Sequence, residues 1–80
     1  MARARKAGRP SLPVEFDREK DGRWIAEIPT LPGVMAYGTT KQDALRRVSA
    51  VALRTLADKV ERGRTPAPVS RLFDYGMAGR

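Results

Sequence analysis

Leu12-Pro-Val-Glu-Phe-Asp-Arg-Glu-Lys-Asp-Gly-Arg-Trp-Ile-Ala-Glu-Ile28 holds two runs of alternating character about one polar break. In the first run Leu12, Val14 and Phe16 share one face of an extended chain, with Pro13, Glu15 and Asp17 on the other. In the second, Trp24, Ala26 and Ile28 fall opposite Arg23, Ile25 and Glu27. The break, Arg18-Glu-Lys-Asp21-Gly22, ends in Asp-Gly, a pair that tolerates positive φ. Two alternating runs around such a turn predict a β-hairpin. Pro13 cannot donate to a ladder, so its end of the strand belongs at an edge or before pairing starts.

Outward from the hairpin, Leu31-Pro32-Gly33-Val34 places Pro and Gly at the two central positions of a type II turn. Val34–Tyr37 then predicts a third, antiparallel strand ended by Gly38. Thr39 and Thr40 are both suitable N-caps, with Gln42 and Asp43 three residues on. Leu45, Val48, Ala52, Leu56 and Val60 follow at spacings of three and four, widened by Ala44 and Val51, and predict one long amphipathic helix. Lys59 and Arg62 suit its last turn and Gly63 its C′ position. Thr65-Pro66-Ala67-Pro68 breaks the pattern, and Val69–Met77, rich in apolar and aromatic residues, is expected to form a final strand. The fold class is therefore α+β: a small two-layer domain, β-β-β-α-β, with an antiparallel sheet and one long helix on one face. The helix stripe should pack on Val14, Phe16, Trp24 and Ile28. Residues 1–11 form an arm and residues 12–80 the domain.

The chain has 80 residues, too few for a second core, and neither Cys nor His. Disulfides, thiolate metal sites and imidazole bases are thereby excluded. Without an imidazole, Ser11, Ser49 and Ser70 have no partner for a serine triad. Lys41 and Lys59 fall at helix ends, where solvated positions suit them better than a catalytic role. A carboxylate–metal site would need Glu15 or Asp17, Asp43 or Asp58, and Asp74 to converge, and no acid occupies the middle of the helix to face the sheet. Gly22, Gly33 and Gly38 close strands rather than open a phosphate-binding helix, and Trp24 lies in phase with the core face rather than with a base-stacking platform. No enzyme activity, cofactor or metal is expected. No apolar run approaches the ~20 residues of a membrane helix, and Met1–Lys6 is too polar to lead into a signal peptide, so a cytoplasmic setting is expected. The net charge of +7 is unevenly placed: residues 1–10 carry +4, residues 11–40 carry −2, and residues 41–80 carry +5.

The run Asp21-Gly-Arg-Trp-Ile-Ala-Glu-Ile-Pro-Thr-Leu-Pro-Gly-Val34, then Gly38-Thr39 and the helix opening Gln42-Asp-Ala-Leu45, resembles the HicB antitoxins. Ala52–Asp58 and Arg62-Gly-Arg-Thr-Pro66 resemble the single-domain members of that family. The resemblance spans about residues 14–76. It implies a degraded RNase H-like fold and a non-enzymatic partner of a HicA-type mRNA-cleaving toxin, whose active site the antitoxin occludes. Many HicB proteins also carry a C-terminal DNA-binding module, but the residues after Gly63, with Pro66 and Pro68, are not expected to hold a helix-turn-helix.

Two function classes follow. The first is an antitoxin that occludes its toxin through the acidic hairpin, with Glu15, Asp17 and Glu27 on the face away from the core and Glu19 and Asp21 at the tip. The second is a nucleic-acid-binding protein that grips phosphates with the arm residues Arg3, Arg5, Lys6 and Arg9. A homodimer or tetramer is expected in either case, because the core is small and the sheet has exposed edges. Ile25, Met35 or Tyr37, and the helix shoulder Ala50, Leu53 and Ala57, are the surfaces expected to meet in it.

Overall fold

The computed structural model describes residues 11–73. Arg3, Arg5, Lys6 and Arg9, and the 74–77 portion of the expected final strand, lie outside the described residues. Strand β1 (Glu15–Arg18) pairs antiparallel with β2 (Trp24–Glu27), and β2 with β3 (Met35–Gly38), in the order β1-β2-β3. The hairpin turn closes through the Glu19 N–H to Arg23 O (2.7 Å) and the Gly22 N–H to Glu19 O (2.9 Å). A long helix, α1 (Lys41–Glu61), covers one face of the sheet.

The β2–β3 connection is two successive turns. The Leu31 N–H donates to Ile28 O (2.9 Å), and the Val34 N–H donates to Leu31 O (3.0 Å). Gly33, at φ +83°, supplies the left-handed residue that the type II turn requires. The Ile28 N–H then bonds Val34 O (3.0 Å) and closes the loop. This folding turns Leu31 and Val34 back into the core, where 7% and 3% of their surfaces stay exposed.

The register puts Phe16, Ala26 and Ala36 in one row toward the helix, with Trp24 across from Gly38. Small residues in this row let α1 come close. A Cβ on Gly38 would collide with the backbone of Asp43 and Ala44, so glycine is required there by space. The core consists of Ala26, Ile28, Leu31 and Val34 under Ala44, Val48, Ala52 and Leu56. Among the residues expected beneath the helix, only Ile28 is fully buried; Val14, Phe16 and Trp24 are half-buried and line the margin. Phe16, with Val14 just before it, belongs to the edge strand β1, whereas Trp24 stands on the central strand but at its hairpin end, across from Gly38.

The helix stripe also differs from expectation. The buried row runs at four-residue spacing from Ala44 to Leu56, while Leu45 and Val60 remain 37% and 44% exposed. A row of i±4 positions is one ridge of a helix, and that ridge lies along the sheet here. Both ends of α1 are closed by local chemistry. The Asp43 N–H donates to Thr40 Oγ1 (2.9 Å), making Thr40 the N-cap. At the other end the Gly63 N–H bonds Val60 O (3.0 Å) and the Arg64 N–H bonds Lys59 O (2.8 Å), a Schellman arrangement with Gly63 at C′.

The expected strand at Val69–Met77 is corrected over its described part. Ala67–Leu72 is a short helix, α2, with Pro66 as its N-cap residue and Pro68 in its first turn. Proline fits a first turn because the N–H it lacks has no intrahelical acceptor there. The Ser70 N–H completes the turn onto Pro66 O (3.0 Å).

Candidate functional site

One face of the sheet is covered by α1 and the other is open. On the open face the register sets Glu15 directly across from Glu27, and Glu27 across from Met35. The next row is Asp17, Ile25 and Tyr37. The three acids expected to act together are therefore assembled on one surface. Opposed residues of this kind hold their Cβ atoms about 4.5–5.5 Å apart, and like charges so placed weaken a sheet. Among the described residues no Lys or Arg forms an ion pair with Glu15, Asp17 or Glu27. Asp17 Oδ1 accepts only the neighbouring Arg18 N–H, at 2.8 Å.

The hairpin tip is less acidic in effect than its sequence suggests. Asp21 accepts both the Arg23 N–H (3.0 Å) and Arg23 Nε (2.8 Å). The Arg23 backbone bond, with the guanidinium beside it, holds the Asp21 carboxyl below the usual carboxylate range. Arg23 also stacks over the Tyr37 ring at 4.4 Å. The centre of the face is apolar: half-buried Ile25, with Met35 and Tyr37 43% and 41% exposed. The residues expected to contact another copy and the acids expected to contact a partner thus share one surface.

Trp24 is half-buried and flanked by cations, with the Arg18 guanidinium 5.2 Å and Lys41 Nζ 5.7 Å from its ring. Lys41 Nζ also lies 4.9 Å from the Phe16 ring. The serine hydroxyls of both helices are used locally: Ser49 Oγ donates to Leu45 O (2.7 Å) and Ser70 Oγ to Ala67 O (3.0 Å). Asp58 pairs with Arg62 at 3.0 Å, and Asp43 with Arg46 and Arg47 at 2.6 and 3.2 Å. Among the described residues no group of three acidic side chains is placed so that it could hold a metal ion. The expected helix shoulder divides: Ala50 borders a groove beside β3, whereas Leu53 and Ala57 border another beside α2.

Sequence reasoning missed the first of these grooves. Arg46, Arg47 and Arg54 line it with Ala36, Tyr37 and Val51. The signal was the seven- and eight-residue spacing of the arginines, which returns to one flank of a helix; their placement beside β3 is a tertiary fact.

No protein-family model, curated protein or solved structure matches the chain.

Proposed function

We propose that this chain is a non-enzymatic antitoxin that binds and occludes a HicA-type mRNA-cleaving toxin in the cytoplasm. The observation that supports the reading is the open sheet face: an apolar centre of Ile25, Met35 and Tyr37 bordered by three acids without basic partners among the described residues. An apolar centre with a polar border is the usual anatomy of a protein-binding patch. Its negative sign suits a toxin surface made to hold RNA phosphates, and it overcomes locally the repulsion between two basic proteins. Glu15 stands directly opposite Glu27, a like-charge pairing that a cationic partner would relieve. As part of the same proposal, copies of the chain associate as a dimer or tetramer.

The test is capture of a HicA-type toxin by the full chain and by the Glu15→Lys/Asp17→Lys/Glu27→Lys variant. The reversal should slow association by about tenfold at low salt, with a smaller effect as salt screens the charges. Equal association rates and equal toxin neutralisation would show that the face is not the binding surface.

A further inference from the structure

We propose that the groove between the outer edge of β3 and the flank of α1 binds an extended acidic segment of a partner protein. The segment would add to β3 as a further strand and set its carboxylates against Arg46, Arg47 and Arg54. This site meets the open sheet face at Tyr37, which borders both, but it does not rest on the antitoxin reading.

Two independent features meet in this groove. The first is the backbone. Among the described residues β3 pairs only with β2, so one side of Met35–Gly38 presents N–H and C=O groups to a newcomer. Such an edge is a template for strand addition, in which main-chain bonds supply affinity and alternate side chains supply selectivity. The second is charge. Asp43 is the one acid shared by Arg46 and Arg47, and Arg54 makes no ion pair among the described residues. The groove therefore retains uncompensated positive charge along its helical wall.

Its dimensions suit an extended peptide. The cavity is about 440 Å³, and besides the arginines it is lined by Tyr37 and the small side chains Ala36, Ala50 and Val51. Small residues there let a backbone approach the strand edge. Arg47 and Arg54 stand about 10.5 Å apart along the helix axis, at ~1.5 Å per residue. Same-face side chains of a strand recur about every 6.6 Å, so two or three alternate acids lie within reach of flexible arginines. Arginine is suited to the task because its fork takes a carboxylate in two parallel bonds.

A second copy placed symmetrically on the same edge fits poorly. Pairing β3 with its own mate would bring both arginine rows together, in a chain whose net charge is already +7. A nucleic acid would satisfy the arginines but leave the strand edge unused. An acidic strand uses both.

The experiment follows backbone amide shifts of the full-length ¹⁵N-labelled chain during titration with an end-capped peptide of alternating Glu and Val. Three further probes complete it: the same peptide with Lys for Glu, a version N-methylated at alternate backbone nitrogens, and oligothymidylate. The Glu peptide should shift the amides of β3 and of the Arg46–Arg54 flank. N-methylation should weaken it about tenfold by blocking strand pairing, the Lys peptide should not bind, and Arg54→Glu should weaken the Glu peptide severalfold. Among the described residues Arg54 makes no ion pair, and circular dichroism of the variant verifies that its fold is kept. Equal binding of the N-methylated peptide would reduce the site to general charge attraction and overturn the proposal. So would absence of shifts at millimolar Glu peptide, or tighter binding of oligothymidylate to the same amides.

Discussion

Asp43 joins the strand, the turn and the helix through a single side chain. Its Oδ2 accepts the Thr39 N–H (3.1 Å), its Oδ1 accepts Arg46 Nη2 (2.6 Å), and both oxygens take Arg47 Nε (3.2 Å). Thr40 returns the favour by capping the Asp43 N–H, so the arrangement is a capping box shifted by one residue toward the strand. The Thr39 bond first, and the two guanidiniums after it, lower the Asp43 pKa from its ordinary value. A carboxyl with a lower pKa in the folded state adds stability above its unfolded pKa and loses it as pH falls through the folded value. Asp43→Asn should therefore be less stable than the parent at neutral pH, with the difference shrinking as the pH is taken well below the carboxylate range. Urea midpoints of both proteins at neutral and strongly acid pH measure this. A difference independent of pH would assign the effect to the cap's shape and not its charge.

At the scale of elements, the ridge from Ala44 to Leu56 makes an ordering that side-chain size alone would invert. Val48 is fully buried and Leu45 is 37% exposed. Val48→Ala should cost about 2 kcal/mol, combining lost transfer energy with an unfilled space, and Leu45→Ala well under half of that. Equilibrium denaturation of the two variants decides it, and a costlier Leu45→Ala would mean that the helix is rotated from the orientation described. Leu45 illustrates what sequence reading can and cannot resolve. Spacings of three and four mark an amphipathic helix, but two neighbouring ridges satisfy them, and only the crossing of helix on sheet selects one. The hairpin, the type II turn, a cap at Thr39 or Thr40 and the Gly63 terminus were legible because each is decided by residues close in sequence; the choice of Thr40 over Thr39 needed the structure. Leu31 was missed from the core because a buried side chain in a turn has no period. The segment after Pro66 departs from the expected strand because proline not only breaks a pattern: at a cap or in a first turn, as at Pro66 and Pro68, it also starts a helix. Of the open sheet face, the side of the sheet on which each acid lies was legible from alternation. The direct opposition of Glu15 and Glu27 needed the register.

At the scale of the whole molecule, self-association as proposed would have to bring together copies of a chain carrying +7. Charged surfaces are poor candidates for self-contact: the arginine flank would oppose itself, and two open faces would add Glu15, Asp17 and Glu27 to their own kind. The α1–α2 groove is different. Leu53, Leu56, Val60, Val69, Leu72 and Phe73 line it, around a space of about 360 Å³, and Glu61 is the one charged residue of its lining among the described residues. Leu53 and Phe73 are each 63% exposed and Leu72 57%, so apolar surface is concentrated where charge is nearly absent. Two copies joined there would bury that surface and leave both open sheet faces available to the proposed toxin partner. Leu53→Glu should then weaken self-association by more than about tenfold, read by light scattering across a concentration series, while toxin capture by the sheet face is unchanged. Tyr37→Glu should do the reverse, sparing assembly and impairing capture. If Tyr37→Glu instead dissociates the assembly and Leu53→Glu does not, copies meet through the open face, and toxin binding must compete with assembly for it.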